Sequence, residues 1–133
     1  MFKLIKIVGS GVNVPEPIKA PIPVSNYVPA GTPIFFENDG LITTADDENP
    51  ATHMTLSDTQ PDGTIMVFEI TPNMLFETVL EGDPKNLGIG SKVELSCDME
   101  GTPRTVTPKV QGRLTVHDVS ITKFDGDKII VKF

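Results

Sequence analysis

The clearest alternation of apolar and polar positions in this chain lies between residues 91 and 99. Every second residue there is apolar: Val93, Leu95, Cys97 and Met99. The residues between them are polar or charged: Lys92, Glu94, Ser96 and Asp98. Because successive side chains of a strand point to opposite faces of a sheet, the pattern predicts a strand with one face on the core and one in water.

The segment 113–123 begins with the same alternation and then changes parity. Leu114 and Val116 share one parity, whereas Val119 falls on the other. A shift of one residue moves every later side chain to the opposite face unless an extra residue is accommodated. The sequence therefore predicts a β-bulge near His117.

The end of the chain predicts a hairpin. The dipeptide Asp125-Gly126 is a strong turn signal, and Ile129, Val131 and Phe133 follow it at alternate positions. Phe133 is apolar and shares the inward parity, so we expect the last residue to pack against the core.

Earlier in the chain, apolar runs alternate with turn signals. Strands are predicted at 34–36, 41–44, 53–56 and 64–71, the last of them buried on both faces. In the segment 71–82, Pro72 and Gly82 could begin and end a helix. The segment is short and continues a strand-rich run, so we predict a strand from Leu75 to Leu80. Together these elements predict an all-β fold, a small single-domain β-barrel or sandwich.

The first quarter of the chain has a different composition. Six of the twelve prolines lie between Gly9 and Pro33. Because proline fixes φ and lacks a backbone donor, residues 1–33 are predicted to be an N-terminal strand and a Pro-rich extended arm, before a compact β domain at 34–133. The arm either folds back over its own barrel or reaches a neighbouring subunit. Its apolar side chains are candidate partner-binding residues: Val12, Val14, Ile18, Ile22, Val24, Tyr27 and Val28.

The charge of the chain excludes some partners. Lysine and arginine number 11 against 18 aspartates and glutamates, a net charge of -7. An acidic chain lacks the basic surface with which proteins bind nucleic acid or anionic membranes, so we expect neither partner. A single cysteine cannot form an internal disulfide, and no stretch approaches the ~20 apolar residues of a membrane span. We expect a protein made in a reducing cytoplasm.

Candidate catalytic and metal-binding residues are few. Cys97 lies on the apolar parity of its strand, where a free cysteine usually packs as a small hydrophobe. His53 and His117 are isolated in the sequence and are expected at the surface. The acidic segments 46–48 and 125–127 lack the ligand series of a calcium loop. We therefore expect no enzyme activity, no cofactor and no metal site.

Several segments, taken in order, resemble a known family. They are Ala30-Gly31-Thr32-Pro33-Ile34, Asn38-Asp39-Gly40-Leu41-Ile42, Ile70-Thr71-Pro72-Asn73-Met74-Leu75-Phe76-Glu77, Gly90-Ser91-Lys92-Val93-Glu94-Leu95 and Ile129-Ile130-Val131-Lys132-Phe133. From about Ala30 to the end, the chain resembles the small capsid decoration proteins of tailed bacteriophages, also called auxiliary or cement proteins. The resemblance is one of the order and character of these segments.

The resemblance implies a structural virion protein on the capsid exterior, made in the host cytoplasm, that binds and stabilises the capsid lattice. Its implied partners are the major capsid protein and neighbouring decoration subunits, and the N-terminal arm would bridge neighbouring subunits. The family has no catalytic residues to carry over. The alternative is a β-barrel adaptor, a tail-associated module or a carbohydrate-binding module that recognises a host surface. The absence of tryptophan and the single tyrosine, Tyr27, disfavour sugar binding.

Overall fold

Strands form all the regular secondary structure of the described residues, which in this computed structural model are 1–9, 16–21, 27–82, 87–121 and 127–133. None of these segments forms a helix long and apolar enough to cross a membrane. The strands are β1 (Lys3–Ile7), β2 (Ile18–Pro21), β3 (Pro33–Phe36), β4 (Ile42–Thr44), β5 (His53–Thr55), β6 (Thr64–Glu69), β7 (Met74–Leu80), β8 (Lys92–Cys97), β9 (Pro103–Pro108), β10 (Leu114–Ile121) and β11 (Asp127–Lys132).

Five strands close into a barrel. They follow the order β7–β11–β10–β8–β9, and β9 pairs again with β7. Neighbouring strands are antiparallel except at this closing pair, where Val79 faces Thr105 and Leu80 faces Val106 in a parallel ladder. β1 adds to the beginning of β7, with Lys3 opposite Glu77. The predicted small β-barrel is confirmed, and its closure leaves the five strands without a free edge.

The other five strands form an antiparallel sheet in the order β2–β6–β5–β3–β4. On one face, Met54 and Phe68 join the core of the barrel. On the other face, six buried side chains form a second cluster: Ala20, Val28, Ile34, Ile42, Ile65 and Val67. β6 is therefore buried on both faces, as its run of β-branched and aromatic residues predicts.

The bulge predicted near His117 is confirmed. In the ladder between β10 and β11, Val116 faces Val131 and Asp118 faces Ile130, so His117 is the extra residue. The bulge absorbs the change of parity and keeps the apolar side chains on the inner face.

Two further predictions about strands are confirmed. The segment 71–82, which could have formed a helix, contains the predicted strand. This is β7, and five of its seven side chains are buried. The chain ends in the core, because the Phe133 ring lies edge-on to Phe76 with centroids 5.3 Å apart. The Asp125-Gly126 turn lies outside the described residues, although β10 and β11 pair as the hairpin requires.

The prediction for the end of β8 is wrong. Cys97 and Met99 were expected inside, but Cys97 is exposed and Met99 is completely exposed. The ladder shifts register where Ser96 faces Thr105 and Cys97 faces Pro103. The strand then ends, so alternation no longer decides which side chains point inward.

The prediction for Glu94 is also wrong. Its side chain was expected in water, but it is only 3% exposed. The carboxylate accepts hydrogen bonds from the amides of Leu95, at 3.0 Å, and Arg113, at 3.2 Å. These two main-chain donors partly replace the water that the carboxylate loses.

Four phenylalanines connect the two sheets and both ends of the chain. The Phe76 ring is stacked on Phe68, with centroids 6.3 Å apart, and lies edge-on to Phe133. The Phe2 ring lies 5.6 Å from Phe133. Because Phe76 is completely buried at the centre of this group, its removal would leave a large cavity.

We therefore expect Phe76→Ala to lower the free energy of unfolding by about 3–5 kcal/mol. Urea unfolding followed by circular dichroism measures the change. The control is Met99→Ala, whose side chain is fully exposed and whose loss should change stability by less than about 0.5 kcal/mol. Equal stabilities of the two variants would contradict the central place of Phe76 in the core.

Gly112 allows the loop between β9 and β10 to lie directly on β8. A Cβ atom at this position would overlap the carbonyl group of Val93. We expect Gly112→Ala to destabilise the protein by about 1–3 kcal/mol, since main-chain atoms must move to relieve the overlap. Gly88→Ala is the control, because open space surrounds its Cβ position. A melting temperature for Gly112→Ala equal to that of the control would show that this close approach is absent.

Candidate partner-binding surface

The described part of the N-terminal arm is attached to its own domain. β2 pairs with β6 from Ile18, opposite Val67, to Pro21, opposite Thr64. It forms one edge of the second sheet. An edge strand is paired on one side only, so prolines there need not remove a hydrogen bond between strands. These residues are extended, as predicted, but they belong to a sheet rather than to a free polyproline-like segment.

The end of the arm is also fixed to this sheet. The amide of Val28 donates to Oγ1 of Thr59 at 2.9 Å, and the amide of Thr59 donates back to the Val28 carbonyl at 3.0 Å. The amide of Ala30 donates to the Asp58 carboxylate at 2.8 Å. The exposed Tyr27 therefore projects from a fixed main chain.

The predicted partner-binding residues differ in exposure. Four of the seven lie outside the described residues: Val12, Val14, Ile22 and Val24. Ile18 is 51% exposed and Tyr27 is 66% exposed, whereas Val28 is 6% exposed. Val28 packs inside the protein with the second cluster rather than presenting a surface to a partner, because its main chain is held against Thr59.

Ile18 borders a groove of about 450 Å³. Met74 and Thr71 form part of its wall, and Glu16 and Glu69 add carboxylates. Apolar surface with negative charge at its rim is complementary to an apolar side chain that has basic neighbours. We call this groove, together with the exposed Tyr27, the arm surface.

Open strand edges among the described residues are protected against pairing with another chain. β1 carries Lys3 and Lys6, and Ile5 between them is the extra residue of a bulge. β2 follows Pro17 and ends at Pro21, and β4 has only three residues. Lysines, bulges, prolines and short strands all hinder edge-to-edge pairing. A partner is therefore expected to bind through side chains rather than by adding a strand.

Three strongly exposed apolar side chains were missed because alternation does not identify them. They are Ile89 (81%), Met99 (105%) and Val110 (94%), each in a turn of the barrel. The turn that carries Met99 is held by the Asp98 carboxylate, which accepts the amides of Glu100 at 2.9 Å and Thr102 at 3.0 Å. One sequence feature could have identified such exposed side chains: an apolar residue between turn-forming residues, as in Gly88-Ile89-Gly90.

Cys97 is exposed, but it is not activated as a nucleophile. Partial burial and the carboxylates of Asp46, Asp98 and Asp47 raise the pKa of its thiol. A raised pKa keeps the thiol protonated, whereas nucleophilic cysteines need the thiolate. Within the described ranges, no group of three or more His, Cys, Asp or Glu side chains is placed to hold a metal ion.

Comparisons with known proteins give no relative of this chain. No protein-family model, curated protein or solved structure matches it. A fold can in any case carry many functions, so assignment depends on the chemistry of the chain's own residues.

His53 is a half-buried titratable group of the second sheet. Its ring lies edge-on to Phe36 with centroids 4.8 Å apart, and Nδ1 is 2.8 Å from Oγ1 of Thr52. Burial lowers the pKa of His53 from its ordinary 6.5, and the charge of Glu69 opposes this effect. The folded protein therefore binds this proton less readily than the unfolded chain does.

This difference predicts a pH-dependent stability. The contribution of His53 is fully present above its ordinary pKa of 6.5 and is lost as the pH falls through the lower folded value. Between about pH 7 and pH 5, we expect the free energy of unfolding to fall more steeply in the wild type than in His53→Gln. Urea unfolding at each pH measures both slopes, and parallel slopes would contradict the burial of the imidazole.

Proposed function

We propose that the protein is a structural component of a bacteriophage virion that binds the outer surface of the capsid lattice and stabilises it without catalysis. The observation that carries the proposal is the half-exposed Ile18, fixed on an edge strand beside an acidic-rimmed groove. An apolar residue whose main chain is already held in a sheet loses little conformational entropy when it contacts a partner. The likeness of the chain to decoration proteins supplies the identity of that partner.

Repetition of the lattice makes modest contacts sufficient. When one copy contacts two neighbouring capsid subunits, the second contact forms at a high effective concentration. Ile18 and Tyr27 lie on separate attachments of the arm, one on β2 and one beside Thr59. In this proposal they bridge neighbouring subunits through their side chains while the main chain stays on its own domain.

Charge favours the major capsid protein over a second decoration subunit as the main contact. Each copy carries a net charge of -7, so two copies repel one another at long range. Glu16 and Glu69 at the groove place negative charge at the arm surface itself. The complementary partner is a basic patch of the capsid with an apolar residue at its centre.

A second candidate is a carbohydrate-binding module that recognises a host surface. It is favoured by the exposed ring of Tyr27, because sugars stack on aromatic faces. Loss of hydration, together with the charge and hydrogen bond of the neighbouring Asp58 carboxylate, raises the pKa of Tyr27. One exposed aromatic ring among the described residues is a small platform for a sugar, and we rank this function second.

The test compares two variants with matched exposure. We expect Ile18→Ser to weaken cosedimentation with decoration-free expanded capsids by roughly tenfold, as for a central interface residue. Leu56→Ser is the control, since Leu56 is 48% exposed against 51% for Ile18 and is not among the residues that line the groove. Tyr27→Ser should weaken binding as well.

The outcomes separate the proposals. Equal capsid binding by Ile18→Ser and Leu56→Ser would remove the groove from the interface. Failure of the wild type to bind capsids, together with binding on a glycan array, would replace the virion function with the second candidate. Point substitutions are used because removal of the whole arm would take the buried Phe2, Ala20 and Val28 out of the two cores.

A further inference from the structure

A small pocket on the barrel contains a buried carboxylate. The pocket measures about 70 Å³, and Pro50, Leu95, Leu114 and Phe133 form much of its apolar wall. Glu94 lines the same pocket and is 97% shielded from solvent, with 3% of its surface exposed. The pocket therefore combines an apolar wall with a buried carboxylate, and Asp46 and Arg113 also line it.

The Glu94 carboxylate is incompletely partnered. One oxygen accepts the amide of Leu95 and the other accepts the amide of Arg113. A carboxylate has about four acceptor sites, so roughly half of its capacity is unused. The ion pairs of the described residues involve Lys19, Arg104, Lys109 and Lys128 as cations, and none includes Glu94.

The nearest candidate counter-charge is directed elsewhere. Arg113 lines the pocket, but its guanidinium donates to the main-chain carbonyl of Glu48 at 3.1 Å. Asp46 also lines the pocket and adds a second negative charge. No cation of the described residues forms an ion pair with the buried Glu94 carboxylate, which is unfavourable, and a positively charged ligand would relieve this cost.

The size and wall of the pocket define the ligand. A volume of 70 Å³ holds roughly two water-sized groups at ~30 Å³ each, so an ammonium and the methylene next to it fill the pocket and any further methylenes lie in its mouth. Hard metal ions require several oxygen ligands, which an apolar wall does not offer. An alkylammonium group matches both the apolar wall and the carboxylate, because its methylenes can pack on Leu114 and its N–H groups can donate to Glu94.

We propose that this pocket binds a primary alkylammonium group of the length of the end of a lysine side chain. The ammonium donates to the free acceptor sites of Glu94, and the apolar wall holds the carbon chain. Such a group is available on a lysine of a partner protein or on a free alkylamine. The proposal stands apart from the capsid-binding function, since it uses none of the residues of the arm surface.

The experiment is a titration of the isotope-labelled protein with n-propylammonium chloride, followed by NMR. The amides of Leu95 and Arg113 donate to Glu94, so their resonances report directly on that carboxylate. We expect both to shift saturably while the amide of Gly63, on a remote turn, does not. Tetramethylammonium, which has no N–H donor, should leave them unchanged.

Three variants locate the binding. Glu94→Gln should weaken propylammonium binding by about tenfold or more, because a charge-assisted hydrogen bond is lost. Glu100→Gln makes the same acid-to-amide change outside the pocket and should have no effect. Arg113→Gln keeps its main-chain donor and removes a competing cation, so binding should tighten roughly two- to fivefold as read from the Leu95 amide. This last variant keeps the proposal falsifiable if Glu94→Gln does not fold.

A second ligand distinguishes the sources of the ammonium. Saturable binding of Nα-acetyl-lysine N-methylamide supports a lysine side chain of a partner protein. Binding of propylammonium alone supports a free alkylamine. Absence of a saturable shift with propylammonium, or unchanged affinity in both Glu94→Gln and Arg113→Gln, would overturn the proposal.

Discussion

The contact between Phe76 and its neighbouring rings is the interaction on which the rest of the structure depends. Phe76 belongs to the barrel strand β7, Phe68 to the second sheet and Phe133 to the C-terminus, and Phe2 reaches the same group from the N-terminus. One buried aromatic group thus fixes both sheets and both chain ends. The barrel and the second sheet share this core, so neither is expected to be stable without the other.

Because of this shared core, the described part of the N-terminal arm is a structural part of its own domain. Phe2, the residue before β1, packs in the core, and β2 supplies Ala20 to the second cluster. Prolines restrict where β2 can pair, because they lack a backbone N–H. An edge strand tolerates them, since the side without the donor can face solvent rather than another strand. What remains available for a partner is therefore a set of side chains, led by Ile18, on a main chain that is already ordered. Binding through such side chains needs less ordering than binding through a free arm.

Much of the fold follows from local patterns, and the remainder depends on distant contacts. Alternation predicts β10 and β11, and the change of parity predicts the bulge at His117, because both depend on neighbouring residues. The parallel pair of β7 and β9 that closes the barrel leaves no such trace, since it joins Leu80 to Val106 across the whole of the intervening strand β8. Of the candidate surface, the sequence identifies exposed Ile18 and Tyr27 but cannot separate them from Val28, whose burial depends on Thr59.

The places where the alternation rule fails are informative. Met99 is apolar and exposed, and Glu94 is charged and buried, although both lie in or just beyond the same well-patterned strand. β8 pairs with β9 along its length and with β10 at Lys92 and Val93, and these ladders hold Glu94 in the strand. Natural sequences break local rules chiefly where function or strain requires it. Glu94 accepts the main-chain amides of Leu95 and Arg113 and also lines a pocket, so its carboxylate serves the fold and, in our proposal, binds a ligand as well.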